Sequence, residues 1–297
     1  MQTFTIPGPT PDARRIPVIP SDGIELDENV LLGFKAFKDW RETLAKNLVL
    51  QNQLSHTFHS DPWILYEIKI HHVTKFGPSR IRFMTVEAIM RRSSDPEKPT
   101  SLDRTVFLRG GSVAVLMILR PKEAKNERYV VMTEQPRIGA CGMSFLEIPA
   151  GMMDESNNVI GKAMQEIKEE TGFTIRPEEF IDMTQLALGK AETRENVRPA
   201  MYPSPANLDE SISLLLWEKE LDRKEIESLK GRLSGLRLHD ELITLRVCDY
   251  EVLWREGARD AKTLGAWALY EGLNRSGQIE EKLRDIRIGK FEESMPS

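Results

Sequence analysis

The run SVAVLMIL at residues 112–119 is the feature that most limits how this chain can fold, because it is apolar at every position after its serine. A strand with one face in water alternates apolar and polar residues, whereas a strand covered on both faces is apolar throughout. The run therefore predicts a central strand of a sheet that carries other elements on both of its faces.

Shorter patterns on either side of this run predict further strands and helices. Strands are expected at 63–73, 79–90, 105–109, 129–135, 212–219 and 242–247. Helices are expected at 31–51, within 151–172, and at 260–275. Because strands and helices mix without a regular βαβ repeat, we predict an α+β fold built on a mixed sheet.

Composition and charge exclude several classes of protein. The formal net charge is -5 at pH 7 and there is no long basic stripe, so duplex nucleic acid is not an expected partner. No apolar run approaches the roughly 20 residues that span a bilayer, so no membrane partner is expected. The N-terminus lacks the apolar core of a secretion signal. Cys141 and Cys248 lack metal-site spacing. We therefore expect an intracellular protein, cytoplasmic in the first instance, with an organelle left open.

An acidic helix over residues 159–171, stopped by Gly172, is the strongest sign of chemistry in the sequence. Its apolar positions, which have the i, i+3, i+4, i+7 spacing of one helix face, are Ile160, Ala163, Met164 and Ile167. On an adjoining face, Glu166, Glu169 and Glu170 lie close together.

These three carboxylates repel one another, since like charges at i, i+4 destabilise a helix by roughly 0.2–0.5 kcal/mol per pair. A divalent cation would turn the repulsion into attraction, and oxygen ligands favour Mg²⁺ or Mn²⁺ over zinc. The alternative from this pattern alone is an amphipathic helix with a solvated acidic face.

The spacing around the helix resembles the Nudix box, G-x5-E-x7-R-E-U-x-E-E-x-G-U, in which U is aliphatic or aromatic. The positions that match in register are Gly151, Glu166, Ile167, Glu169, Glu170, Gly172 and Phe173. Asn157 stands where the box has its first Glu, and Gln165 where it has Arg. In the family that Arg usually orients a glutamate of the box, so the two departures imply a slower enzyme with weaker metal binding.

Segments outside the box resemble the ADP-ribose and ADP-sugar pyrophosphatase branch of the family, in particular the plant ADP-sugar diphosphatases. EIPAG at 147–151 is similar to the segment that leads into the box, where the carbonyl before the glycine, here that of Ala150, binds metal. DAKTL at 260–264 is a second similar segment. The resemblance implies a metal site formed by Ala150, Glu166, Glu169 and Glu170.

The resemblance also implies the catalytic residues. YPSPANLDESI at 202–212 is similar to a loop whose glutamate acts on the attacking water. Glu210 falls in that place and is the expected base, with Asp209 as the alternative. Glu169 is the second expected catalytic residue.

Two arginines are expected to bind the substrate. TEQPR at 133–137 is similar to a strand end whose arginine meets the phosphates or the sugar, so Arg137 is an expected diphosphate contact and otherwise a surface ion pair. Arg109 is a further candidate, and its alternative role is to end a strand.

These resemblances imply Mg²⁺-dependent hydrolysis of the diphosphate of an ADP-sugar, ADP-ribose or ADP-glucose, to AMP and a sugar phosphate, with Mn²⁺ as the alternative ion. Two alternatives stay open. The first is a pyrophosphatase for UDP-sugars or other nucleotide conjugates, and the second is a Nudix protein that binds a nucleotide sugar without hydrolysing it. Members of this branch are typically homodimers, and residues 62–108 suit such an interface.

The resemblance also implies the expected domains. We expect a Nudix-type α/β/α sandwich with a mixed sheet over 110–288, preceded by a small antiparallel N-terminal β-domain over 61–109. Residues 1–60 are expected to form an N-terminal arm and helix, irregular for the most part up to about residue 30 because of its prolines. Residues 289–297 are expected to be a tail.

Overall fold

A computed structural model of the chain describes residues 3–10, 13–77, 80–92, 100–124, 126–153, 156–189, 195–234 and 243–293. The chain divides into two compact units. The N-terminal unit comprises Met1–Gly111, Glu192–Arg198 and Tyr202–Ser211, and the C-terminal unit comprises Ser112–Ala191, Pro199–Met201 and Ile212–Ser297. No helix in the described residues is long and apolar enough to cross a membrane.

The N-terminal unit is a five-stranded sheet with helices packed against it. Its strands, in spatial order, are β1 (Phe4–Ile6), β2 (Ile16–Pro20), β3 (Ile64–Phe76), β4 (Arg80–Arg92) and β5 (Thr100–Leu108). Its helices are α1 (Glu28–Gly33) and α2 (Lys35–Leu50). Extended backbone at Phe34 divides the single helix predicted at 31–51 into these two. The arm, the helices and the strands share one core, which includes Ile6, Val18, Phe37, Ile68 and Val86. The predicted boundary after residue 60 therefore falls inside this unit.

The strands predicted between residues 63 and 109 are present as β3, β4 and β5, and they pair antiparallel. The arm, predicted to be mostly irregular, contributes β1 and β2. Two prolines obscure the alternation in IPVIP, which buries Ile16, Val18 and Pro20. Within 61–109 the pairing is antiparallel as predicted, and β2 from the arm adds a parallel pairing with β3, so the complete sheet is mixed.

The C-terminal unit is built on a mixed eight-stranded sheet. Its strands are β6 (Ser112–Pro121), β7 (Tyr129–Arg137), β8 (Gly142–Glu147), β9 (Ala150–Met152), β10 (Ile181–Asp182), β11 (Ile212–Leu221), β12 (Leu233–Ser234) and β13 (Ile243–Asp249). The main path runs β10-β11-β6-β7-β13-β12, with β8 beside β7 and β9 beside β6. The β6–β11 pair is parallel and the other pairs are antiparallel.

Helices cover both faces of this sheet. They are α3 (Val159–Thr171), α4 (Met183–Leu188), α5 (Arg223–Leu229), α6 (Leu253–Glu256), α7 (Ala261–Arg275) and α8 (Gln278–Glu293). Alternate residues of β6 point to opposite faces. Leu116 packs in one core with Tyr270 of α7, and Val115 packs in another with Ile167 of α3 and Ile226 of α5. The predicted central strand and the α/β/α sandwich are confirmed.

The ends of this unit differ from the predicted domain at 110–288. Helix α8 extends to Glu293, into the predicted tail, and residues 294–297 lie outside the described residues. Residues 195–198 and 202–211, predicted to belong to this domain, are part of the N-terminal unit.

Candidate active site

Helix α3 begins and ends where the sequence predicts, at Val159 and Thr171. Asn158 caps its first turn by accepting a hydrogen bond from the Gly161 backbone N–H at 2.9 Å. Gly172 ends it with a left-handed backbone, φ 80°, which glycine adopts without strain. Local sequence therefore sets both ends of the helix and fixes the direction in which its acidic residues point.

Glu166 and Glu170, one turn apart on α3, both reach strand β9. The Glu166 carboxyl carbon, Cδ, is 2.0 Å from the position that a Cβ on Gly151 would occupy. Glu170 accepts a hydrogen bond from the Ala150 backbone. Two acidic side chains therefore meet at the same short strand, and the glycine at 151 leaves the room that the Glu166 side chain fills.

Glu170 is almost completely buried. Burial raises the pKa of its carboxyl group well above the usual 4.5, and the charges of Glu166 and Glu147 raise this pKa further, whereas Arg137 and the Ala150 hydrogen bond lower it. Its Oε2 atom is buried without a hydrogen-bond partner. A buried polar atom without a partner is destabilising, and a cation would satisfy this one.

The other acidic residue of the helix, Glu169, has a different environment. Its Oε1 accepts a hydrogen bond from Gln165 Nε2 at 2.9 Å, near the surface. Glu166, in contrast, forms an ion pair with Lys162, whose Nζ is 2.7 Å from Glu166 Oε1. Each of the two residues thus has a partner one turn earlier on the same helix.

The donors at β9 fit a hard divalent ion. The carboxylates of Glu166 and Glu170 and the carbonyl of Ala150 are the oxygen ligands that Mg²⁺ and Mn²⁺ bind, and Glu170 Oε2 lacks a donor. In the described part of the chain, no group of three or more His, Cys, Asp or Glu side chains is arranged to hold a metal ion. The structure places Glu166 and Glu170 at β9, where Glu170 contacts the Ala150 backbone, and it leaves Glu169 with Gln165.

Arg137, the last residue of β7, is held by Glu147, the last residue of β8. Arg137 Nε donates to Glu147 Oε1 at 2.7 Å, and Arg137 Nη2 contacts the same oxygen. Arg137 is also close enough to Glu170 to lower the pKa of that carboxyl group. Arg137, which was predicted to contact the diphosphate, thus forms an ion pair with Glu147 next to the acidic residues of α3.

Glu147 joins this strand end to the start of α7. Its Oε2 is bound by Lys262 Nζ, which also donates to Asp260 Oδ1 at 3.0 Å. Asp260 caps α7 by accepting the Thr263 backbone N–H at 3.1 Å. The Ile148 backbone N–H donates in turn to Thr263 Oγ1 at 3.0 Å. The EIPAG and DAKTL segments, far apart in sequence, therefore form one buried polar network.

Three predicted residues lie in the N-terminal unit, around the turn that follows β5. Asp209 accepts hydrogen bonds from the backbone N–H groups of Arg109 at 2.8 Å and Gly110 at 3.0 Å, and burial raises the pKa of Asp209. Glu210 is buried, with Oε1 3.3 Å from Arg109 Nη1. Because Asp209 is engaged in holding the turn, Glu210 is the better candidate for a base. Arg109 is paired with the Glu210 carboxylate.

Comparison with known proteins places the chain in a family. No family model matches it. Among curated proteins, "Nudix hydrolase 14, chloroplastic" of Arabidopsis thaliana is 35% identical to it over 219 residues. The alignment covers 73% of this chain and 66% of that relative, slightly less than two thirds of the relative's length. The chain belongs to the Nudix hydrolase family.

One solved structure is also similar to the chain. It is a crystal structure of an ADP compounds hydrolase, 15% identical, which covers 72% of this chain and 98% of its own, with a TM-score of 0.40. That likeness is too weak to support a conclusion about fold or activity.

The two departures from the Nudix box have visible consequences in this Nudix hydrolase. Asn157 is exposed just before α3. Gln165, in place of the arginine, contacts Glu169 through a neutral hydrogen bond. A positive charge next to Glu166 is supplied by Lys162, a residue inside the variable part of the Nudix box.

Three residues around this Nudix site, Lys162, Glu147 and Lys262, were not predicted from the sequence. Lys162 could have been found, because its i, i+4 spacing to Glu166 predicts an ion pair. Glu147 and Lys262 lie in segments that the resemblance picked out, but their contact joins positions 115 residues apart. A single sequence contains no signal for such a pairing.

Proposed function

We propose that this chain hydrolyses the diphosphate of an ADP-sugar, ADP-ribose or ADP-glucose, to AMP and a sugar phosphate, with Mg²⁺ as the preferred ion and Mn²⁺ as the alternative. The observation that supports this most is that Glu166 and Glu170 both lie at β9, Glu166 against Gly151 and Glu170 on the Ala150 backbone, and that Glu170 Oε2 is buried without a partner. Hard oxygen donors around an unsatisfied carboxylate are what a divalent ion needs.

In this proposal the residues at β9 hold the ion and the arginine holds the substrate. Glu166, Glu170 and the Ala150 carbonyl are the ligands. The chemistry that a divalent ion supplies at such a site is neutralisation of the diphosphate charge and a lower pKa of the attacking water. Arg137, fixed by Glu147, offsets the negative charge that the diphosphate carries and develops further during the reaction.

Glu210 is the proposed base, on the resemblance of its loop and on its local environment. Its carboxylate is buried, and its Oε1 is 3.3 Å from Arg109 Nη1. The water oxygen forms a bond to phosphorus, its proton goes to Glu210, and the bond from phosphorus to the bridging oxygen breaks. The products are a nucleoside monophosphate and a sugar phosphate.

Two other functions stay open under the same proposal. The pyrophosphatase could act on UDP-sugars or other nucleotide conjugates, because no described contact identifies a base or a sugar. The chain could also bind a nucleotide sugar without hydrolysing it, and Asn157 and Gln165 are the observations that favour this second function.

The test is turnover of ADP-ribose, ADP-glucose, UDP-glucose and GDP-mannose with Mg²⁺, read as release of nucleoside monophosphate and sugar phosphate. Glu166→Gln and Glu210→Gln are compared with Glu227→Gln, a matched change at an exposed glutamate paired with Lys230. Turnover of an ADP-sugar that falls in the first two variants alone supports the proposal. Tight binding without turnover by the wild-type protein contradicts hydrolysis and favours the binding function.

We propose in addition that the protein is a homodimer and that it resides in an organelle or in the cytoplasm. The dimer rests on the resemblance of residues 62–108 to the N-terminal sheets of this branch, and light scattering of the purified protein tests it. The name of the Arabidopsis relative includes "chloroplastic", which favours an organelle, and imaging of a C-terminally tagged chain distinguishes the two compartments.

A further inference from the structure

We infer that Lys262 is a positioning residue that sets the orientation of the Arg137 guanidinium by occupying one oxygen of the carboxylate that both cations share. This inference deepens the proposed function and rests on it for its kinetic consequence. Its structural part, the orientation of a side chain, stands apart from any activity.

The division of the Glu147 carboxylate between two cations is the observation that carries the inference. Arg137 places both Nε and Nη2 on Oε1, and Gln135 Nε2 donates to the same atom at 3.1 Å. Lys262 Nζ binds Oε2. Arg137 therefore pairs with a single oxygen.

A guanidinium next to a free carboxylate ordinarily forms two parallel hydrogen bonds, one to each oxygen. With Lys262 on Oε2, Arg137 makes both of its contacts with Oε1 instead. Without the lysine, the guanidinium is expected to turn until two of its nitrogen atoms face both oxygens of Glu147. That turn changes the direction of the nitrogen atom Nη1, which the present pairing does not use.

Burial makes this arrangement well defined. The Glu147 side chain is 3% exposed and that of Lys262 is 13% exposed, whereas 41% of the Arg137 side chain is exposed. Lys262 is itself anchored by Asp260, the cap of α7. A fixed cation thus sits on the inner oxygen, and the exposed cation keeps part of its surface for an anionic ligand.

The consequence for the proposed reaction is a contribution to substrate alignment. A misplaced binding group can lower catalysis by as much as about a hundredfold, so Lys262→Met is expected to lower kcat/KM for the ADP-sugar by about tenfold to a hundredfold. Lys262→Arg, which keeps a cation on Oε2, is expected to restore most of the loss. Lys230→Met, at an exposed lysine of the same unit, is the control that leaves activity unchanged.

Two measurements test the inference. A crystal structure of Lys262→Met, or of Lys262→Ala if the first variant does not fold, reads the Arg137 orientation directly. Two-oxygen pairing with Glu147 supports the inference, and unchanged pairing with Oε1 alone overturns it. This readout holds even if the wild-type protein proves inactive, so failure of the proposed function and failure of the inference are distinguishable.

The second measurement is a double-mutant cycle in kcat/KM with Arg137→Ala. If Lys262 acts through Arg137, the loss caused by Lys262→Met disappears in the Arg137→Ala background. An equal loss in both backgrounds means that Lys262 contacts the substrate itself or only stabilises the fold, and that result overturns the inference. Absence of any loss in the wild-type background overturns it as well.

Discussion

The Glu166 carboxyl group lies directly against Gly151, with Cδ 2.0 Å from where a Cβ on that glycine would be. Gly151→Ala therefore forces the Glu166 side chain away from β9. We expect metal affinity and activity to fall by roughly a hundredfold, the loss typical of removing one preorganised group. Calorimetric titration with Mg²⁺ measures the affinity. Gly139→Ala is the matched control, since an added Cβ there meets no atom within 4 Å. Unchanged affinity in Gly151→Ala would exclude Glu166 as a ligand.

The three glutamates of α3 are expected to differ in how much each contributes to kcat. Glu166→Gln and Glu170→Gln remove carboxylates that face β9, and each should lower kcat by roughly a hundredfold or more. Glu169→Gln removes a carboxylate bound to Gln165 near the surface, and we expect a smaller loss. Steady-state kinetics of the three variants give the order. If Glu169→Gln is as damaging as the other two, the helix must bring Glu169 into the site when the substrate binds.

The metal-free protein should lose stability as the pH rises above 4.5, because of Glu170. The folded-state pKa of this carboxyl group is raised above its usual value, so between the two values the folded protein keeps a proton that the unfolded chain has released. The free energy of unfolding therefore falls across this interval and levels off above the folded-state pKa. Glu170→Gln lacks this loss, and its metal-free melting temperature at pH 7 should exceed that of the wild type by about 2 °C or more.

Addition of Mg²⁺ should reverse the order of the melting temperatures of the wild type and Glu170→Gln. Saturating Mg²⁺ stabilises the wild-type protein by ligand binding, and it should do so much less in Glu170→Gln. Melting curves with Mg²⁺ and with a chelator, recorded from pH 4.5 to 8, show both effects. Parallel curves for the two proteins under every condition would mean that Glu170 neither carries the buried proton nor binds the ion.

Lys162 should compete with the metal for Glu166. Its ammonium group is 2.7 Å from Glu166 Oε1, and the two side chains are only 13% and 16% exposed. A divalent ion must share that carboxylate, so Lys162→Met is expected to tighten Mg²⁺ binding by about tenfold, or 1.4 kcal/mol. Lys168→Met removes an exposed lysine from the same helix and serves as the control. Weaker binding in Lys162→Met would instead show that the lysine holds Glu166 in place for the ion.

Substitutions of the adjacent acids Asp209 and Glu210 should affect different properties, stability for Asp209 and kcat for Glu210. Asp209 accepts two backbone hydrogen bonds, so Asp209→Asn leaves partly buried donors poorly paired and should lower the free energy of unfolding by about 1–3 kcal/mol. Glu210→Gln should lower kcat with little change in stability, since its amide can still contact Arg109. Denaturant unfolding together with kinetics distinguishes the two effects. Full activity in Glu210→Gln would remove it as the base.

Much of the architecture could be predicted because it follows from local patterns. The apolar run in β6 required two covered faces, and the caps at Asn158 and Gly172 set the bounds of α3. The pairing of β2 with β3 could not be predicted, since the prolines of IPVIP mask a strand and nothing local specifies its partner. The contact of Glu147 with Lys262 also depends on a long-range arrangement. In the same way, the spacing on α3 places three glutamates together. In the structure, Glu166 and Glu170 reach β9, whereas Glu169 contacts Gln165.

The N-terminal unit is not a continuous stretch of chain. Asp209 holds the turn after β5, and Arg198 binds Asp39 of α2 at 2.8 Å. Asp209 and Arg198 come from segments that lie, in sequence, between parts of the C-terminal unit. A recombination event at residue 111 would therefore separate β5 from the segments that complete its unit. Transfer of residues 1–111 to another chain would leave behind two segments that belong to the same unit.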